Sequence, residues 1–299
     1  MAEIKELKSI DKKLFKNNFV SVQECGNILE TLHVSHRNQK ATIRKLNKNE
    51  YLLISTGEIK EFKHKESRQD NINAVRRSLR SLRNYINTNI TDNNKALWIT
   101  LTYAENMVDT KRLYADFEKF IKRLRYAFGH CEYIVAMEPQ GRGAWHAHLL
   151  AIYENKAPYI PNARLAKIWG NGFVKINLLK DIDNIGVYLT AYLGDMELKS
   201  IADYRGEKTK TITTNGKDKK IIKGGRLKLY PTGFNLYRIS KGIKKPKESL
   251  IDEKELLGSL NNAPLKYEKI LEVKPEGDYL PLYLHYRTYN IKDKKIDGL

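Results

Sequence analysis

His146 and His148 stand one residue apart inside the apolar run Trp145 to Tyr153, and the two-residue period of a strand puts both imidazoles on one face, near enough to share an ion. Alone, such a pair is more often a hydrogen-bonded structural feature than a ligand set, so its neighbours decide. The strand-like run Tyr133 to Glu138 precedes it across Pro139 to Ala144, PQGRGA, whose turn-rich composition predicts a hairpin. A symmetric antiparallel register about that turn sets Glu138 opposite His146. Two neutral imidazoles and one carboxylate, with coordination positions left open, suit a divalent cation such as Mg²⁺ or Mn²⁺ that also holds a phosphate oxygen; the ligand types admit zinc as well.

Tyr188 and Tyr192 lie four residues apart in Asp181 to Leu193, a segment with helical periodicity and Asp181 as its N-cap. Both phenols then project from one helix face, where they could act as two equivalent nucleophiles. The chain holds 18 tyrosines, and a Tyr/Leu stripe at this spacing also serves to pack a helix on a sheet.

The elements that must position these residues follow from periodicity. Ala96 to Tyr103, ALWITLTY, alternates as a half-buried strand with Thr100 and Thr102 on its polar face. Asp109 to Phe128 carries Leu113, Phe117, Phe120, Ile121 and Leu124 at helical spacing and meets Gly129, a helix stop. A short helix over Asn162 to Trp169 and a strand over Gly172 to Leu178 come next. Upstream, Asn71 to Asn87 is a basic amphipathic helix; its arginines, Arg76 and Arg80 among them, fit a solvated face and direct phosphate contact equally well. Lys210 to Lys223 reads as a hairpin about Asn215-Gly216. Residues 226–245 interleave aromatics with cations, Arg226 and Arg238 included, a composition that suits stacking on bases or a peripheral strand with a wet face. These signals divide the chain into an N-terminal basic α+β appendage over 1–66, with weak helical periodicity before short alternating runs, a central domain over 67–245, and a C-terminal extension over 246–299 without chemical signal.

The chain has 299 residues, 41% of them hydrophobic, enough for a real core. Lys and Arg exceed Asp and Glu by 54 to 35, and a net charge of +19 calls for a polyanion, for which nucleic acid and an anionic membrane both qualify. No apolar run reaches the roughly 20 residues of a spanning helix and the first residues lack a secretory core, so the expectation is a soluble, cytoplasmic protein without a membrane. Cys25 and Cys131 form neither a disulfide framework nor a metal spacing, which leaves His, Asp and Glu as ligands. Helicase function has no support, since no Gly-rich Lys-Ser/Thr phosphate loop is present.

A threonine-rich strand (ITLTY), a carboxylate before a histidine pair (EPQGRGAWHAHLL) and a tyrosine helix (YLTAYL), in that order, resemble the three motifs of the HUH endonucleases. From Trp98 to Asp195, about a third of the chain, the sequence is similar to rolling-circle replication initiators (Rep proteins) of the phage gene II and small-phage or plasmid type. The resemblance implies an α+β fold: a central antiparallel sheet of ferredoxin-like character with flanking helices, joined by N- and C-terminal α/β extensions. It assigns His146 and His148 to the metal pair, Glu138 to the acidic ligand, Tyr188 and Tyr192 to the nucleophiles, and Thr100 and Thr102 to the first motif. Arg76, Arg80, Arg142, Arg226 and Arg238 are the expected DNA contacts.

The implied activity is a metal-dependent nick in single-stranded DNA at a replicon origin, with a 5′-phosphotyrosine link and a free 3′-hydroxyl. The implied partners are single-stranded or hairpin origin DNA, with host helicase and polymerase downstream. One departure stands out: the lysine that commonly follows each family tyrosine by three residues is replaced by Ala191 and Asp195, with Lys199 the substitute cation. An origin-binding protein that has lost nicking, a transposase or relaxase, and an RNA-binding protein with a related small sheet are the alternatives.

Overall fold

The computed structural model describes residues 3–36, 42–62, 72–141, 143–179, 186, 196–197, 209–214, 217–222, 226–231, 233–260, 262–274 and 280–292. The chain divides into two compact units, Glu66–Lys245 and Met1–Lys65 with Pro246–Leu299. The fold is α+β, with antiparallel sheets and flanking helices as expected.

The terminal unit is built on six antiparallel strands in the order Glu3–Leu7, Leu265–Lys274, Leu282–Asn290, Ile28–Val34, Phe19–Cys25, Lys247–Asp252. Strands from both ends of the chain therefore share one sheet, with Val20, Leu29, Leu256 and Tyr289 in its core. The early helical periodicity of residues 1–66 makes no α-helix among the described residues; Glu3–Leu7 is a strand and Lys12–Leu14 a single 3₁₀ turn. Pairing of Glu3–Leu7 with Leu265–Lys274 takes the backbone hydrogen bonds that the weak local period would have given to a helix. The alternating runs downstream form the small sheet Ile43–Lys45, Glu50–Leu53, Ile59–Glu61.

The central unit starts with helix α1 (Ile72–Asn89). It continues through strand β1 (Ala96–Tyr103), helix α2 (Thr110–Phe128), strands β2 (Glu132–Pro139) and β3 (Trp145–Ile152), helix α3 (Asn162–Trp169) and strand β4 (Gly172–Leu178). Strand β5 (Tyr237–Ile239) comes much later in the chain. The spatial order is β4-β1-β3-β2-β5 with every neighbouring pair antiparallel, so β1-α2-β2-β3-α3-β4 is the split βαβ topology of ferredoxin-like folds.

Period-two alternation gives this sheet two different faces. Leu97, Ile99, Leu101, Tyr103, Val135, Met137, Trp145, Ala147, Leu149 and Ala151 turn to one side and meet Leu113, Phe117, Phe120 and Leu124 of α2. At about 1.5–3 kcal/mol per buried large apolar side chain, this layer is the main stabilising core of the unit. Asp109 caps α2 by accepting from the Lys111 and Arg112 amides, and Gly129, with φ 87°, ends it. On the other side, Leu82 and Ile86 of α1, with Ile90, cover Ala96, Ile134, Ala136 and Leu150. The β1–β3 end carrying Thr102 and His146 lies outside that apolar cluster.

The stretch Asp181 to Leu193, with Tyr188 and Tyr192, lies outside the described residues except for Gly186, which is helical. Arg142 and the Asn215-Gly216 turn also lie outside them, although the strands Thr209–Thr214 and Lys217–Ile222 pair as the hairpin anticipated there.

Candidate metal centre

The β2–β3 turn sets the register that matters. Gln140 donates its amide to the Ala144 carbonyl at 2.7 Å and Gly143 donates to the Gln140 carbonyl at 2.8 Å; the φ of 91° at Gly143 is one that glycine reaches without strain. From this turn Pro139 pairs with Trp145 and Glu138 with His146, the symmetric register expected from the sequence. A slip of one residue would turn Glu138 to the α2 face, away from the histidines.

Residues directly opposite one another across an antiparallel sheet share a face. Two rows result: Phe173, Thr102, His146 and Glu138 in one, and Lys175, Thr100, His148, Ala136 and Tyr237 in the next. Within them His146 Nε2 lies 2.9 Å from His148 Nε2, and Glu138 Oε2 lies 3.4 Å and 3.6 Å from the two nitrogens. Ligands bound to one ion at about 2.0–2.2 Å are separated by about 3.0 Å at octahedral and about 3.4 Å at tetrahedral angles, so this triangle has the size of a coordination face. The three residues fit a divalent cation and could hold one with three protein atoms; they are the cluster of this kind among the described residues.

The surroundings tune the cluster. Glu138 and His146 are buried and His148 is half-buried. Burial alone would raise the Glu138 carboxyl, but contacts from His146 and His148 and the charge of Arg226 overcome it and hold the group well below the usual carboxylate range. Burial pushes His146 down from its ordinary value, which favours the neutral imidazole that a metal needs. Thr100 Oγ1 lies 3.3 Å from His148 Nδ1, placed to accept a hydrogen bond from the Nδ1–H tautomer, which leaves the Nε2 lone pair for an ion. His146 Nδ1 is buried without a hydrogen-bond partner among the described residues.

Arg226 places Nη1 3.0 Å from Glu138 Oε1, on the carboxylate oxygen that does not face the histidines. The turn that follows it is fastened by Leu227, Tyr230 and Phe234, and the Tyr230 and Phe234 rings pack against Trp145, the neighbour of His146. The other expected contacts fall elsewhere. Arg76 and Arg80 are exposed on α1, outside the trio. Arg238 pairs with Val135 on the α2 face and lies 3.5 Å from the centre of the Tyr114 ring, so the sheet separates it from the histidines.

Sequence reasoning missed two features. The Glu138–Arg226 pair joins residues 88 positions apart, and no local pattern announces it. Phe173 and Lys175 share the histidine face of β4, and the alternation in GFVKINL, with Phe173, Lys175 and Asn177 on one side and Val174 and Ile176 on the other, was the available signal.

Residues 96–197, about a third of the chain, match the family model for replication-associated proteins of the ORF2 and phage gene II protein type. This bears out the resemblance to Rep-type replication initiators, and the matched segment holds the whole trio. No curated protein and no solved structure matches the chain.

Proposed function

On the premise of a central segment similar to replication-associated proteins, we propose that the chain is a replication initiator that nicks single-stranded DNA at an origin with tyrosine chemistry. The observation that carries this is the convergence of Glu138, His146 and His148 on one face of the sheet inside the matched segment. No helix among the described residues is long and apolar enough to cross a membrane, and the +19 charge is the electrostatic footprint of a nucleic-acid partner.

A divalent ion, Mg²⁺ or Mn²⁺, held by the trio would polarise the scissile phosphate. Tyr188 or Tyr192 supplies the nucleophile: its phenolic oxygen bonds to phosphorus, the phosphorus–O3′ bond breaks, the phenol gives up its proton and the departing 3′-oxygen ends as a hydroxyl. A phenol with a pKa near 10 is mostly protonated at neutral pH, so positive charge around the phosphate is needed to favour phenolate character. Arg226 supports this reading, because its guanidinium, 3.0 Å from Glu138 Oε1, sets a positive charge beside the trio in a sequence that has Ala191 and Asp195 in place of the expected lysines. Gly186, two residues before Tyr188 in sequence, supports it as well, since its amide donates to Asn87 Oδ1 of α1 at 2.8 Å, and α1 packs on the histidine face of the sheet.

A denaturing gel of the protein with end-labelled single-stranded DNA spanning its replicon's origin tests the proposal. With Mn²⁺ a covalent band and a free 3′-end are expected; chelator and the Tyr188→Phe/Tyr192→Phe double variant should abolish both. Tight binding to the origin without any adduct would overturn nicking and favour an origin-binding protein of the same fold.

A further inference from the structure

We propose that Phe173 is a stacking platform that seats one nucleobase of single-stranded DNA beside the Glu138–His146–His148 cluster. The proposal rests on the nicking reading for its ligand class. Phe173 begins the row that runs through Thr102 and His146 to Glu138, so it stands on the same sheet face as the cluster, two strands from His146. At about 4.8 Å per strand that is roughly 10 Å, the reach of about one to three nucleotides along a strand whose stacked rise is about 3.4 Å.

Single exposed apolar residues are common, so exposure by itself says nothing. The position of Phe173 is what differs. The ring is 72% exposed, while the alternate residues Val174 and Ile176 of the same strand pack against the core. Its described neighbours on that face are polar, Thr102 across the ladder and Lys175 two residues along, so among the described residues of that face it joins no apolar patch suited to a protein partner. An exposed aromatic ring followed on the same face by an exposed lysine offers one surface for a base and one charge for a phosphate, the combination by which single strands are bound without sequence readout.

The strand that presents the ring runs close beside β1. Gly172 has φ 153°, and a Cβ there would run into the Thr102, Tyr103 and Ala104 backbone, so β4 comes closer to β1 at this point than any side chain permits. Phe173 follows that glycine on the outer strand of the sheet, at the rim of the histidine face.

Fluorescence anisotropy of the full chain with two labelled dodecamers, oligo-dT and the same backbone made abasic, separates base stacking from phosphate attraction; chelator is present so that no cutting intervenes. Stacking of one base predicts that Phe173→Ala weakens oligo-dT binding roughly 5- to 150-fold and leaves abasic binding within about twofold, with Phe173→Trp restoring the oligo-dT affinity. Equal loss on both ligands, or no loss on oligo-dT, overturns the proposal. Failure of nicking is scored separately, by the absence of a covalent adduct, and leaves this binding difference readable.

Discussion

Replacing Glu138 by glutamine keeps the shape of the side chain and removes its charge. The Glu138 side chain is 4% exposed and that of Arg226 22%, so the substitution strands a largely desolvated guanidinium against a neutral amide. Removing one member of a buried pair costs about 3–5 kcal/mol; because Arg226 keeps some contact with water, the lower end, about 3 kcal/mol, applies. A unit of this size loses about 2–4 °C per kcal/mol, which gives a drop of about 6–12 °C in chelator. Trp98, Trp145 and Trp169 all belong to Glu66–Lys245, so tryptophan fluorescence follows the melting of this unit by itself. Mn²⁺ at about 100 times its dissociation constant should stabilise the wild type by about 2.7 kcal/mol. The glutamine variant, lacking the one anionic ligand, should gain much less. Equal melting of variant and wild type in chelator, together with an equal Mn²⁺-induced rise, would refute both the pairing energy and the assignment of Glu138 as a ligand.

Other outcomes follow from the same geometry. Thr100→Val removes the oxygen beside His148 Nδ1 and should weaken Mn²⁺ binding about 10- to 100-fold by titration calorimetry without unfolding the sheet. Acidification should lower stability in two stages. His146 is held below its ordinary 6.5, so the unfolded chain takes that proton first and stability falls as the pH drops through 6.5. Glu138 is held below its ordinary 4.5, so its contribution is present above 4.5 and fades as the pH falls toward the folded value. Denaturant midpoints from pH 8 to pH 3, compared with a His146→Ala variant that should flatten the first stage, check this. Gly186→Ala would normally favour a helix, yet its Cβ would meet the Arg83 carbonyl and Asn87 Oδ1, and overpacking should cost about 1–3 kcal/mol in a urea titration.

The sheet was legible in the sequence because its signals are local. Alternation in ALWITLTY, the PQGRGA turn and the helical spacing from Asp109 to the Gly129 stop are each read within a few residues, and the turn alone places Glu138 opposite His146. The Glu138–Arg226 pair was not, since it depends on how residues 226–236 wrap around Trp145, a long-range packing choice with no periodic trace. The side taken by Arg238 was not legible either: in a basic, aromatic stretch composition gives no side, and pairing with Val135 sets it on the α2 face. The early residues lost their helix to a sheet completed by strands from the far end of the chain, which a local period cannot register.

The measurement that tests the central claim most directly is peptide mass spectrometry of the protein after incubation with its origin single strand and Mn²⁺, followed by nuclease trimming. A nucleotide attached through its 5′-phosphate to Tyr188 or Tyr192, present with the ion and missing with chelator or in a His146→Ala/His148→Ala variant, is the predicted result. An adduct on another residue, one that forms in chelator, or none on DNA that is tightly bound would contradict it.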